Sequence, residues 1–314
     1  MKKIAVIAVG GNALASEGDG TSIMDQAAAA ARTAQYVIDV AAAGWQVVLT
    51  HGNGPQVGYI LRRSEIAANE VPVVPMDYAT ADTQGAIGVM FQRSFLNELR
   101  RRGLKNPVAT VVTQVEVDPD DGAFANPTKP IGSIMKREIA EDLAAKNGWS
   151  LMEEAGRGWR RCVASPQPKR VVETGTVSNL LDSGHIVIAC GGGGIPVVSD
   201  NDGNLSGREA VIDKDLASSL LARELRAERL LIATAVPQVA INFGKPDVQW
   251  LSRLTLSEAG RFMDEGHFGK GSMGPKVAAV MDYVAACDGE GVITDIEHMG
   301  LAIEGKAGTR IVRG

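Results

Sequence analysis

Residues 3–14 read KIAVIAVGGNAL, and residues 45–56 read WQVVLTHGNGPQ. Each opens as an aliphatic, β-branched run and ends in a glycine-bearing turn. A third stretch, HIVIACGGGGIP at 185–196, repeats the arrangement. Short apolar runs without polar alternation fit strands buried on both faces, as in a parallel sheet. Glycines at their ends let the backbone take positive φ and come close to a ligand.

Working outward, helical patterns separate these runs. An alanine-rich helix is predicted over 22–43, with Gly44 at its C′ position. Further helices are predicted over 55–68 and 78–102, and from 213–216 to about 226. Thr255 and Glu258 form a capping box for a helix to about 265. Pro275 fits the first position of a helix reaching about 287. Strands are predicted at 108–117, 230–235, 239–243, 292–294 and 309–312. Strands alternating with helices predict an α/β fold whose mostly parallel sheet is covered on both faces. Ligands gather at the carboxyl ends of such strands, where the glycines stand. Residues 118–168 break the rhythm with prolines, glycines and mixed charge around a short helical piece at 136–146. This reads as an insertion standing out from the sheet, a lid in character.

The bulk numbers exclude several functions. The 314 residues carry a formal charge of −5, and the only basic run is Arg100-Arg101-Arg102 at a predicted helix end, so nucleic acid is not an expected partner. No apolar stretch reaches membrane-spanning length. Residues 1–9 read as a core strand rather than a signal peptide. Three scattered cysteines, Cys162, Cys190 and Cys287, suit a reducing cytoplasm, and the four histidines show no metal-ligand spacing.

One glycine corner is an ordinary strand-to-helix turn. Three, two of them with asparagine, point to a polyanionic ligand held by helix N-termini. The sequence has no GxxxxGK[ST] loop. Gly52-Asn53-Gly54 followed by Gly58 is one residue too long for GxGxxG, which counts against a nicotinamide oxidoreductase. Lys214 and Lys276 stand at predicted helix starts, where a cation is unfavourable unless an anion lies nearby. Lys129 sits between two prolines in the insertion.

At these residues the chain resembles the carbamate kinases of the amino-acid kinase superfamily. The resemblance runs in order through AVGGNAL at 8–14, HGNGPQVG at 51–58, TQVEVDPDD at 113–121, NPTKPIG at 126–132, EAGRGWRRCVASPQP at 154–168, CGGGGIPVV at 190–198, AVIDKDLAS at 210–218 and GHFGKGSMGPK at 266–276. It implies a three-layer α/β/α sandwich with a small protruding subdomain, and a homodimer. It implies Mg²⁺-dependent phosphoryl transfer between ATP and carbamate, giving ADP and carbamoyl phosphate, with Mg²⁺ carried mainly by nucleotide phosphates and no protein metal site. It also implies a lobe at 1–225 on the carbamate side, containing the insertion, and a nucleotide-side lobe at 226–314. Gly10, Gly11, Asn12, Gly52, Asn53 and Gly54 would hold carbamate or its phosphoryl product. Lys129 would reach in from the subdomain. Lys214 and Lys276 would meet the nucleotide phosphates, with Asp215 orienting them. Thr234, Ala235, Val236, Phe243 and Met273 would complete the nucleotide side. His51 reads as an anchor of its turn rather than a base, since the attacking oxygen is already ionised.

One segment departs from the family pattern. Residues 234–239 read TAVPQV where family members typically read TGVDYV, which changes Ala235, Pro237 and Gln238. The alternative reading is therefore a carbamate-kinase-like paralogue, acting on another small acid or binding nucleotide or carbamoyl phosphate without turnover.

Overall fold

The computed structural model describes residues 3–10, 14, 22–154, 156–269 and 271–314. Its main sheet has eight strands, in the order Arg253–Thr255, Thr309–Val312, Glu290–Thr294, Arg229–Ala233, Ile4–Val9, Gln46–His51, Ile186–Ile188 and Val108–Thr110. All neighbours are parallel except Glu290–Thr294 with Thr309–Val312.

Side-chain alternation along these strands builds two cores. Val6, Ala8, Val48, Leu230 and Ile232 face helices Thr174–Asp182, Lys214–Glu224 and Met273–Ala286. Ala5, Ile7, Val47, Leu49 and Leu231 face helices Ile23–Ala42 and Met76–Arg101. The fold is thus three-layered, with a mainly parallel sheet covered on both sides. No helix of the described residues is long and apolar enough to cross a membrane.

The capping signals act as read. Ser22 and Asp25 close a capping box at the first long helix, and Gly44 beyond its end has φ +87°. Thr255 and Glu258 close another. Two boundaries differ from expectation. The predicted 108–117 strand is two strands in different sheets, Val108–Thr110 and Gln114–Val117. Between them Thr113 turns inward, where Gln84 holds its backbone at both ends. The helix expected to open at Pro275 opens two residues earlier, as Met273–Ala286.

A second sheet runs Leu205–Gly207, Ile195–Ser199, Gln114–Val117, Pro168–Val171. Its last two strands carry the ends of the insertion. Within it, Lys129–Met135, Gly158–Val163 and Ser150–Glu154 form an antiparallel sheet joined by helix Arg137–Asn147. Val57, Leu61, Ile131 and Val163 pack this sheet against helix Gly54–Ile66. The would-be Cβ of Gly58 lies 2.9 Å from the Gly132 Cα, so only glycine allows the two to meet this closely.

Candidate active site

Strand Ile4–Val9 pairs with Gln46–His51 on one side and Arg229–Ala233 on the other, which makes it the switch point of the sheet. A cleft of about 800 Å³ opens beyond the carboxyl ends of these strands. The insertion walls it with Thr128, Lys129 and Pro130.

Three lysines converge on this cleft and share two aspartates. Asp213 caps helix Lys214–Glu224 by accepting from the Asp215 N–H. Its other oxygen takes the Lys129 ammonium at 2.6 Å, joining the insertion to the main fold. Asp215, 4% exposed, takes Lys214 on one oxygen at 2.5 Å and Lys276 on the other at 3.0 Å. Burial holds the Lys214 ammonium below the ordinary lysine range; Asp215 opposes that shift and Lys276 reinforces it. Burial raises the Asp213 carboxyl, but Lys129, joined by Lys214 and the Asp215 N–H, outweighs it and leaves the group below the usual carboxylate range. The cluster thus carries three cations against two anions.

Helix N-termini supply more positive potential. Asn53 and Ser272 precede helices Gly54–Ile66 and Met273–Ala286, and neither side chain caps its helix. Pro55 and Pro275 carry no N–H and the Gly274 N–H donates to the Gly269 carbonyl at 2.9 Å, so these ends offer a ligand mainly their dipoles, and Gly54 and Ser272 line the cleft. Asn53 donates instead to the Thr83 hydroxyl at 2.9 Å. Its amide covers Gly192, whose would-be Cβ lies 2.2 Å from the Asn53 Nδ2. The glycine run is a tight turn on which every wall presses: Gly193 meets the Ile212 carbonyl and Gly194 meets Val115. Gln84 donates to Gly191 and Thr113 carbonyls at 3.0 Å each and fixes the turn from behind.

His51 lies beneath that turn, 1% exposed, with Nδ1–H donating to the Gly52 carbonyl at 3.1 Å. Burial lowers its pKa to about 4, the Gly52 bond offsetting only part. It is a neutral, inward-facing prop and does not line the cleft.

Among the residues singled out from sequence, Gly52, Asn53, Gly54, Lys129, Lys214, Asp215 and Lys276 line this cleft together. Gly10 adjoins it, its would-be Cβ 3.8 Å from the Lys214 Cε. Gly11 and Asn12 lie outside the described residues. Thr234, Ala235, Val236, Phe243 and Met273 do not line it. Thr234 and its two successors follow strand Arg229–Ala233 at its carboxyl end, and Met273 begins the helix that carries Lys276. Phe243 is 63% exposed at the tip of the hairpin joining Val239–Ile241 to Gln249–Leu251, against Trp250. Sequence reasoning missed Asp213, Thr83, Gln84 and Thr113. Asp213 was findable as an N-cap, immediately before Lys214.

The amino acid kinase family model matches residues 3–295. The chain belongs to the amino acid kinase family. Within the family it is 48% identical to the carbamate kinase of Thermococcus kodakarensis, over the whole of both chains. It is 50% identical to the carbamate kinase-like protein YqeA of Escherichia coli, over 99% of each. Among solved structures, the carbamate kinase from Giardia lamblia bound to AMP-PNP superposes with a TM-score of 0.93 at 42% identity, covering 99% of this chain and 98% of that one.

Proposed function

We propose that the chain is a carbamate kinase, which moves a phosphoryl group reversibly between ATP and carbamate, giving ADP and carbamoyl phosphate. The observation that carries this reading is the pairing of Lys129, Lys214 and Lys276 with Asp213 and Asp215 in one cleft. The full-length likeness to carbamate kinases supports it.

The chemistry asks for charge placed correctly. Carbamate and the γ-phosphate are both anions, and two unit charges about 4 Å apart repel by roughly 4 kcal/mol at an effective dielectric of 20. An ionised carbamate oxygen attacks the γ-phosphorus as the bond to the β–γ bridging oxygen breaks. No general base is required, which fits a buried, neutral His51. Charge spreads over the transferring oxygens, so catalysis is positioning and neutralisation. Lys214 and Lys276 hold the phosphates, and Asp215 keeps the two ammonium groups together without letting them diverge. Lys129 meets the acceptor side. The uncapped N-terminus of Gly54–Ile66 faces the acceptor, and that of Met273–Ala286 faces the nucleotide.

Nucleotide enters on the 226–314 side, past Thr234, Ala235, Val236, Phe243 and Met273, while the 1–225 side with its insertion takes carbamate. The described residues contain no group of three acidic, histidine or cysteine side chains set for a metal ion. Both aspartates of the cleft are engaged by lysines, so the donor set does not fit a protein-held cation. Mg²⁺ is read as arriving on the nucleotide's own phosphate oxygens. The reading includes a cytoplasmic homodimer; Val71, Val73 and Tyr78 are exposed apolar side chains at and just before the start of helix Met76–Arg101.

The test is ATP formation from ADP and carbamoyl phosphate with Mg²⁺, using acetyl phosphate as control donor. Formation with carbamoyl phosphate alone is expected. Nucleotide binding without turnover, or equal use of acetyl phosphate, would overturn the assignment.

A further inference from the structure

Gly158–Val163 is the centre strand of the protruding sheet. Alternation puts Trp159, Arg161 and Val163 on one face. Val163 is buried there in an apolar cluster with Ile131 and Leu61. The register sets Arg161 opposite Ile131 and Leu151. An apolar residue belongs at such a position, yet an arginine occupies it with only 18% of its side chain exposed. Its guanidinium lies over the Trp149 ring, 4.7 Å from the centroid. Its ion-pair partner is Glu209, at 3.9 Å and 66% exposed, too far for a hydrogen bond. Burial holds the group below the ordinary arginine range. A guanidinium set inward without a hydrogen-bonded carboxylate is costly, so its retention asks for a partner.

A cavity of about 380 Å³ opens at this guanidinium. Leu61, Ile131, Ile134, Met135, Ile139 and Leu143 form its apolar walls. Ile134 and Ile139 are 37% and 53% exposed, so part of this wall faces solvent. The lining sets Arg62, Lys136 and Arg161 against a single carboxylate, Glu65, which pairs with Arg62 at 3.3 Å and also attracts Arg161, so the wall is net positive. The cavity and the lysine cleft share only Ile131 among their lining residues.

We propose that this cavity is a second binding site, for a small carboxylate with an apolar body. The carboxylate sits on Arg161, and the body packs against Leu61, Ile134, Ile139 and Trp149. An arginine fork matches a carboxylate in two parallel hydrogen bonds, and the cavity has the size and apolar lining of a small-molecule site.

The test titrates 4-phenylbutyrate into the full chain by calorimetry, beside 4-phenylbutyramide as its uncharged twin, with and without saturating ADP. The carboxylate is expected to bind one per chain with Kd below about 1 mM, and the amide at least about tenfold weaker. ADP should not compete, and Arg161→Gln should erase the difference between the twins. Since that change removes a charge from a packed face, Ile139→Glu serves as a second variant at an exposed helix position. It should weaken the carboxylate about fivefold by like charge. Absence of saturable binding, equal binding of the amide, or competition by ADP would overturn the proposal. So would an Ile139→Glu variant with half the wild-type particle mass in sedimentation, which would assign this face to contact between copies.

Discussion

Replacing Asp215 by asparagine keeps the shape of the cleft and removes the charge that gathers two lysines. Asp215 is 4% exposed, and Lys214 and Lys276 keep 14% and 16% of their side chains exposed. Two ammonium ions about 5 Å apart repel by roughly 3 kcal/mol at an effective dielectric of 20. Breaking a buried pair from one side costs about 3–5 kcal/mol. Both routes place the destabilisation of Asp215→Asn near 3 kcal/mol, measured as a shift in the urea midpoint at unchanged slope. The sign with pH follows from Lys214, whose ammonium burial already disfavours. Between its lowered folded value and the unfolded lysine value, the unfolded chain binds more protons, so stability rises with pH there. Without Asp215 the folded value drops further, and the deficit of the variant should shrink from pH 7 to pH 9. Turnover should fall as well, since the two ammonium groups that neutralise the transferring charge are no longer held together. A variant within about 0.5 kcal/mol of wild type at pH 7, or a deficit that ignores pH, would refute the reasoning.

Lys129→Ala should lower the turnover rate about a hundredfold, as loss of one transition-state donor does, while steady-state titration shows ADP affinity within about threefold. Gly193→Ala should cost about 2 kcal/mol or more in urea unfolding, because φ is +94° and the new Cβ would lie 2.2 Å from the Ile212 carbonyl. His51 titrates at about 4 in the fold against 6.5 in the unfolded chain, so its share of stability is present above pH 6.5 and drains as pH falls toward 4. Between pH 7 and pH 5 that loss is about 2 kcal/mol, and thermal unfolding of His51→Gln should show a correspondingly flatter acid limb.

The strands ending in glycine corners were legible because β-branched runs bounded by glycine have few other uses. Val108–Thr110 and Gln114–Val117 merged into one predicted strand because VATVVTQVEV is β-forming throughout. What separates them is a buried side chain from elsewhere, Gln84, bonded to Thr113 on both sides. The strands of the insertion were hidden differently. Prolines flank Lys129, and three arginines interrupt Gly158–Val163 and its approach, so neither shows an apolar period. Among the site residues, the lysines drew attention because their local setting was wrong for a surface cation. Thr83 and Gln84 gave no such signal, since a polar residue on a long helix usually faces water. Only the packing of Met76–Arg101 against the glycine turn turns them inward.

The insertion leaves the main body at Gln114–Val117 and returns at Pro168–Val171, and these are antiparallel neighbours with Val115 opposite Val171. Its two ends therefore enter and exit side by side, and a short turn would close the gap. The eight-stranded sheet takes no strand from it. Lys129 thus rides on a cassette attached at one doorway, and the rest of the chain is threaded without it. Asp213, the residue that receives Lys129, belongs to the permanent frame, so the frame offers a fixed socket and the module supplies the plug.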